Sequence, residues 1–376
     1  MHLSDLHLGW PAGFLGERAA VWAQERDDVL QKAVDLALSP CESIDGVIIA
    51  GDLFEHHRPP VAVVEAALRQ LSRLTQGGKF LLTVPGNHDE ISYHDSVYRQ
   101  YAEHWPGSLV TQPNPAHVGS YIIRGETVHF YGLAYQGGIT RCEVPLADLP
   151  RQDVPGIHIG VFHGSLDCPV TWRSLPLSSK ELAKAAYDYV ALGHFHQATW
   201  LELGPTVVSY CGAIAGKGFD DKGTGRIQLV DLSSSGARLR SVPLSLRPQR
   251  IEILDLDEVQ DEQALRSWLD ERQDIEAMVR VVLRGTAGFA DAGEKVSAYA
   301  AGLFYYCEVA DQTMGFSPAY LAEIARETSV RGYFARRLLA EAEAAPSVLE
   351  KQVCLQALRV GLGALGKEWF GGGGNF

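Results

Sequence analysis

Five short segments of this chain gather side chains that bind divalent metals. They are Ser4-Asp5-Leu6-His7, Gly51-Asp52-Leu53-Phe54, Gly86-Asn87-His88-Asp89, Phe162-His163-Gly164 and Gly193-His194-Phe195-His196. Their donors are carboxylate, imidazole and amide, with no thiolate. That set suits Mn2+, Fe2+ or Zn2+ at octahedral-like positions better than a cysteine-rich structural zinc site. Asp-x-His and His-x-His put two side chains on one side of an extended segment, because a strand alternates its faces. Seven ligands from such a set would be too many for one ion and about right for two sharing a bridging aspartate. Two ions ~3.5–4 Å apart hold a phosphate's oxygens and supply a bound hydroxide for in-line attack on phosphorus.

Those segments need a scaffold that brings them together. Val47-Ile48-Ile49-Ala50, Phe80-Leu81-Leu82-Thr83-Val84, His158-Ile159-Gly160-Val161-Phe162 and Tyr189-Val190-Ala191-Leu192 are short, β-branched-rich runs, each closed by a turn or polar residue. They read as buried strands. Helical spacing from Val21 to Leu38 and from Val61 to Leu74 supplies the connecting helices. Strands separated by helices of this length make an α/β layering, and sites in such folds form beyond the carboxyl ends of the strands. Every segment above sits at such an end, so all five can converge. Asp89 reads as a support rather than a ligand. Among the 13 histidines, His2, His94, His104, His117, His129 and His158 read as structural.

Downstream, Ser233-Ser234-Ser235-Gly236 marks a break, and Arg247-Pro248-Gln249-Arg250 opens a small α+β unit. Strands are expected over Ile251–Leu256, Met278–Leu283 and Phe304–Val309, with helices over Glu262–Arg272 and Lys295–Leu303. Ser317-Pro318 starts a helix expected to run to Ala345. Pro346 interrupts it, and Ser347 with Glu350 forms a capping box for another helix. In that last helix Leu349, Val353, Leu358, Leu362, Leu365 and Trp369 recur every three to five residues, before the glycine tail Gly371 to Gly374. The domains expected are 1–240, 247–312 and 315–370.

The chain has 33 Lys+Arg against 46 Asp+Glu, a formal net charge of −13. This balance argues against coating nucleic acid by bulk electrostatics. Six scattered cysteines, with no C-x-x-C pair, suit reduced thiols rather than a disulfide frame. No apolar run approaches the ~20 residues of a membrane span, and the start is no signal peptide. A cytoplasmic protein with no membrane association is expected.

The quoted motifs resemble the calcineurin-like metallophosphoesterase superfamily, and more narrowly its SbcD-like branch of DNA-repair exonucleases. Asp188-Tyr189-Val190-Ala191-Leu192-Gly193-His194-Phe195-His196 is close to that branch's last histidine motif. Tyr210-Cys211-Gly212, followed by Gly218-Phe219-Asp220 and Gly225-Arg226-Ile227-Gln228-Leu229-Val230, resembles its closing hairpin. The likeness covers residues 1 to about 235. It implies a four-layer α/β/β/α sandwich with a small α+β capping domain and C-terminal helices. It also implies two divalent ions, with Mn2+ expected. Asp5, His7 and His196 would hold the first, Asn87, His163 and His194 the second, and Asp52 would bridge both. His88 would contact the scissile phosphate and protonate the leaving oxygen.

Three departures stand out. The branch often has a histidine directly after Gly-Asp-Leu-Phe, but this chain has Glu55, so the substrate-positioning role passes to His56 or His57, with His56 the candidate, or is lost. Cys211 stands where Pro or Ser is usual, a matter of packing. Only three residues precede Ser4, so the native start is expected upstream. The resemblance further implies a capping domain that orients DNA and C-terminal helices that dock on an SbcC-type, SMC-like ATPase. The stripe from Leu349 to Trp369 reads equally as that docking face or as ordinary core. Arg326, Arg331, Arg336 and Arg337 read as a solvated helix face. A homodimer through the segment His56 to Tyr101 is expected. The leading function is a DNA phosphodiesterase, a 3′-to-5′ exonuclease with endonuclease activity. The alternatives are a small-substrate phosphoesterase, for instance on a cyclic nucleotide, or an inactive adaptor for the ATPase. Pro85 precedes Gly86-Asn87-His88 where protein phosphatases tend to place an arginine, which weakens a phosphatase reading.

Overall fold

The strand Gly46–Ala50 turns Val47 and Ile49 towards one apolar cluster and Ile48 and Ala50 towards another. A central strand covered on both faces needs this near-continuous hydrophobic run. It belongs to a computed structural model that describes residues 1–137, 146–168, 174–221, 224–233, 236–289, 291–313 and 315–366. Two units divide the chain, Met1–Leu246 and Arg247–Phe376.

Two sheets build the first unit. One has six strands in the order Gly236–Pro243, Arg226–Ser233, His2–Leu3, Gly46–Ala50, Phe80–Val84 and Ser108–Leu109. The four from His2–Leu3 onward run parallel, and Arg226–Ser233 joins them antiparallel. The second sheet runs Thr199–Leu203, Thr206–Tyr210, Tyr189–Gly193, Ile157–Leu166, Glu126–Gly132 and Ala116–Ile123, with Leu175–Leu177 paired to Ile157–Leu166. Leu82, Val84, Phe130, Val161 and Ala191 pack between the sheets. Helices Val29–Leu38 and Val61–Gln76 cover the outer face of the first sheet, and Ser179–Ala185 packs on the second. The expected α/β/β/α layering is therefore present.

Local chemistry explains each layer. Val64, Ala67, Leu71 and Leu74 recur at helical spacing and are all buried. The helix expected over Val21 to Leu38 is instead two, Ala19–Asp27 and Val29–Leu38. Asp28, at ψ −9°, loosens the turn between them.

In the second unit, Gln249–Asp255, Asp274–Arg284 and Phe304–Asp311 form a parallel three-stranded sheet. Leu265, Leu269, Val296 and Ala300, from helices Glu262–Asp270 and Ala292–Ala300, bury against Val279, Val281 and Leu283. Three further helices follow, Pro318–Arg326, Val330–Ala344 and Val348–Gly366. The first two were expected as one. Ser329 adopts extended geometry and caps a new helix by accepting from the Gly332 N–H at 3.0 Å, which ends the preceding one. The Ser347 hydroxyl accepts from the Glu350 N–H at 3.2 Å, half of the expected capping box. The apolar repeat of the last helix splits between two faces. Leu358 and Leu362 are buried, whereas Leu349 and Val353 remain 70% and 60% exposed. Trp369 and Gly371 to Gly374 lie outside the described residues. Arg331 and Arg337 pair with Glu327 and Glu341, and Arg336 donates to two backbone carbonyls, so these arginines are engaged within the helical segment itself.

Candidate metal centre

Both sheets end their parallel strands at one edge, and the five motifs meet there. Asp5 follows His2–Leu3, Asp52 follows Gly46–Ala50, and Asn87 follows Phe80–Val84. His163 and His194 come from the end of Ile157–Leu166 and the residue after Tyr189–Gly193. The His163 Nδ1–H donates to the Ala50 carbonyl at 2.9 Å, tying one sheet to the other.

All seven candidate ligands come together. His7 Nε2 lies 3.1 Å from His196 Nε2 and 3.8 Å from Asp52 Oδ2. Asn87 Oδ1 lies 2.9 Å from both His163 Nε2 and His194 Nδ1. Asp52 Oδ2 is 3.3 Å from His163 Nε2, between the two groups. Donor atoms within 4.8 Å of one another define the sets Asp5–His7–His196, Asp5–Asp52–His163 and His7–Glu55–His88.

The outward nitrogens decide what the inward ones can do. His7 Nδ1 sits 2.9 Å from Glu55 Oε2, and His196 Nδ1 sits 2.9 Å from Asp221 Oδ1. Each carboxylate calls for the proton on Nδ1, which in the neutral rings leaves the two Nε2 lone pairs facing each other. Bare lone pairs 3.1 Å apart repel, so a proton or a metal ion belongs between them. The arrangement is that of imidazoles oriented by carboxylates for a metal, and the donor set fits divalent ions.

Backbone geometry points the same way. Asp5, His7, Asp52 and His194 all adopt positive φ, of 53°, 49°, 51° and 112°. Such conformations cost non-glycine residues roughly 1–3 kcal/mol each, and they persist only where surrounding contacts impose them. Those contacts are visible. The Asp5 N–H donates to the Gly51 carbonyl at 3.1 Å, and the His194 N–H donates to the Asp5 carboxylate at 3.1 Å. The His88 N–H donates to Asp52 Oδ1 at 2.9 Å. Close approach also explains two glycines of the motifs. A Cβ on Gly86 would strike the Asp52 carboxylate, and one on Gly51, at φ 91°, would strike the His163 ring.

Electrostatics are dominated by burial and by Asp52. Burial would raise the Asp52 carboxyl, yet His163, His7 and His88 together hold it far below the carboxylate range. Burial would lower His163, but Asp52 pushes it up to about 9. His7 is held down at about 4 by burial, against the pull of Glu55 and Asp52. His88 ends above its ordinary value, because Glu55 and Asp52 outweigh its burial.

The match to a family model agrees with this geometry. Residues 1–198 match the family described as calcineurin-like phosphoesterase. The chain belongs to that family. Similarity extends to the DNA double-strand break repair protein Mre11 of Sulfurisphaera tokodaii, 25% identical over 299 residues, covering 76% of this chain and 73% of that protein. The Mre11 of Aeropyrum pernix is 28% identical over 271 residues, covering 67% of this chain and 63% of that protein. The SbcD component of the nuclease SbcCD of Bacillus subtilis is 25% identical over 319 residues, covering 76% of this chain and 78% of that protein. These relatives are of the branch that the motifs resemble.

Around its ligand set this phosphoesterase carries residues that the sequence did not reveal. Glu55 is buried, with Oε2 2.6 Å from Lys217 Nζ and Oε1 3.6 Å from His88 Nδ1. Asp221 accepts from His196 and, at 2.7 Å, from the Lys217 N–H. Glu55 was visible only as a departure, and Asp221 only as the neighbour of Gly218-Phe219-Asp220. Neither has a spacing signal, because the histidine it orients is remote in sequence. Arg26 was also missed. It is 2% exposed and donates to the carbonyls of His7 and Leu6 at 2.8 Å each. Its signal is a cation on the same helical face as buried Trp22. Asp89 buttresses the site, accepting from the N–H groups of Phe54 and Gly86 and from the Tyr98 hydroxyl. The sequence candidate His56 is exposed and makes none of the described contacts with the cluster. Its neighbour His57 stacks on Tyr93 at 4.1 Å and lies 3.7 Å from Asp95. Cys211 packs in the interior, with Sγ 3.1 Å from the Ser4 hydroxyl. No helix among the described residues is long and apolar enough to cross a membrane.

Proposed function

We propose that this chain is a metal-dependent DNA phosphodiesterase, a 3′-to-5′ exonuclease with endonuclease activity that serves double-strand-break repair. The observation that carries it is the pair of inward-facing Nε2 atoms of His7 and His196, each backed by a carboxylate, opposite the Asn87–His163–His194 group across Asp52. Asp5, His7 and His196 would hold one divalent ion, Asn87, His163 and His194 another, with Asp52 between them. Bound there, Mn2+ would polarise the phosphodiester and lower the pKa of a bound water for in-line attack.

The chain's own groups prepare the rest. Glu55 and Asp221 fix the His7 and His196 rings so that Nε2 faces inward. His88 lies beside His7, ring centroids 4.6 Å apart, and its Nδ1 hydrogen-bonds to the Glu55 carbonyl at 3.1 Å. That contact takes the Nδ1 proton, so Nε2 faces the leaving oxygen and carries a proton there only in the imidazolium form. Glu55 and Asp52 favour that form, raising the His88 pKa against its burial.

The similarity to Mre11 and to the SbcD component of SbcCD supports DNA as substrate and an SbcC-type, SMC-like ATPase as partner. The exposed Leu349 and Val353 offer such a partner an apolar helix face. Residues 247–312 would act as the capping domain, and a homodimer would use 56–101. The cytoplasm is the compartment proposed.

The test is Mn2+-dependent cleavage of linear duplex and hairpin DNA, with Asp52→Ala and His88→Ala as controls. Cleavage is expected from the native chain and from neither variant, with His88→Ala still binding metal. Turnover of small phosphodiesters without DNA cleavage, even with the ATPase added, would replace this reading with a small-substrate phosphoesterase.

A further inference from the structure

Outside the ligand set, and among the described residues, Lys217 brings to the metal centre a cation with hydrogen-bonding capacity to spare. It lies in the turn after the strand Thr206–Tyr210, its ammonium 2.6 Å from Glu55 Oε2 and its side chain 21% exposed. An ammonium has three N–H donors, and the described contacts use only the one to Glu55. Arg26, another nearby cation, is committed beneath the site to the backbone carbonyls of His7, Leu6 and Ala215.

Lys217 is also held in place from two sides. Its N–H donates to Asp221 Oδ2 at 2.7 Å, and Asp221 orients His196. Its ammonium meets Glu55, which orients His7 and approaches His88. The lysine is therefore one carboxylate away from a candidate ligand and from the candidate acid. Its four-carbon stem allows the head to move by a few ångströms without disturbing the turn.

Charge complementarity gives that position a use. Asp5, Asp52, Glu55 and Asp221 bring carboxylates to the cluster. Two divalent ions would offset these carboxylates, so the Lys217 ammonium would be free to share itself with an incoming anion as well as Glu55. A phosphodiester brings one negative charge. We propose that Lys217 is a substrate-binding residue that donates to a non-bridging oxygen of the phosphate, sharing its ammonium between that oxygen and Glu55. This inference rests on the phosphodiesterase reading but not on DNA being the substrate.

The test uses the full chain loaded with Mn2+, with inorganic phosphate and bis(p-nitrophenyl) phosphate as probes. Calorimetric phosphate affinity and the KM for the diester are compared for native protein, Lys217→Met and Lys217→Arg, alongside bound-metal content. For Lys217→Met, phosphate affinity is expected to fall, and KM to rise, about 10- to 100-fold, the worth of one charge-assisted hydrogen bond. Metal content should stay native, and Lys217→Arg should recover most of the loss. Unchanged phosphate affinity in Lys217→Met would overturn the proposal. Loss of metal would overturn it too, since Lys217 would then serve only to hold Glu55. An arginine variant no better than methionine counts against it equally, as does native protein that binds no phosphate. If the native chain cleaves the small diester but not DNA, the nuclease reading fails while the phosphate data still judge Lys217.

Discussion

Two histidine clusters in the first unit use the same side chain to opposite ends. At the metal centre, His7 and His196 turn their Nε2 atoms on each other, with their outward nitrogens against Glu55 and Asp221. On the second sheet, His129 and His158 stack 4.7 Å apart beside His117 and Tyr131. There every ring nitrogen of the stacked pair has a neutral partner. His158 donates from Nε2 to the Val154 carbonyl at 3.0 Å and accepts at Nδ1 from the Tyr131 hydroxyl at 2.9 Å. His129 meets Ser120 at 2.7 Å and the Pro155 carbonyl at 3.1 Å. One cluster is complete with its own hydrogen bonds, and the other needs a cation to become so. What marks a metal centre is therefore not histidine density but lone pairs left facing one another with carboxylates behind them.

That contrast can be broken in graded ways. Asp52→Asn should remove several kcal/mol of charge stabilisation, lowering phosphodiester turnover on the order of 10³-fold in a steady-state assay. Adding Mn2+ at ~100 times its Kd to metal-stripped protein should raise unfolding stability by about 2.7 kcal/mol, seen as a higher Tm. A chain equally stable with and without Mn2+ would mean that the inward lone pairs do not hold the ion. Asp221→Ala should weaken metal affinity or activity about 10- to 100-fold, because His196 loses the carboxylate that orients it. Chelator competition would measure that loss.

The smallest effect belongs to the self-sufficient cluster. His158→Phe should cost about 1–3 kcal/mol in denaturant unfolding, since the Val154 carbonyl and Tyr131 hydroxyl lose partners. Metal content and turnover should not change. The pH dependence has a definite sign. Burial lowers the His158 pKa, so the unfolded chain takes up that proton first as pH falls. Stability should be level above the ordinary value of ~6.5 and decline below it, and His158→Phe should lessen the decline. A variant with the native pH profile would remove His158 from this account.

Much of the site was legible because metal chemistry leaves local signatures. Asp5 and His7, or His194 and His196, are two residues apart, and strand alternation places such pairs on one side before any tertiary contact is known. The strand Phe80–Val84 was readable to the residue, as its β-branched and leucine run ends at Pro85. The parts missed depend on contacts that no local pattern encodes. Glu55 reaches Lys217 and His7, and Asp221 reaches His196, across long stretches of chain. Two of the three C-terminal helices were misjoined for the opposite reason. No Pro or Gly interrupts Glu327-Thr328-Ser329, and only the cap at Ser329 reveals the break.

Arg26 has a consequence for how the molecule opens. By binding the carbonyls of Leu6, His7 and Ala215 at once, it joins the first motif to the hairpin turn that ends at Asp221. Neither segment can detach without stranding a buried guanidinium, so both belong to one cooperative opening unit. Amide protons of Leu8 and Ala213 should accordingly exchange with solvent at matched free energies, although they lie at opposite ends of the catalytic unit's sequence.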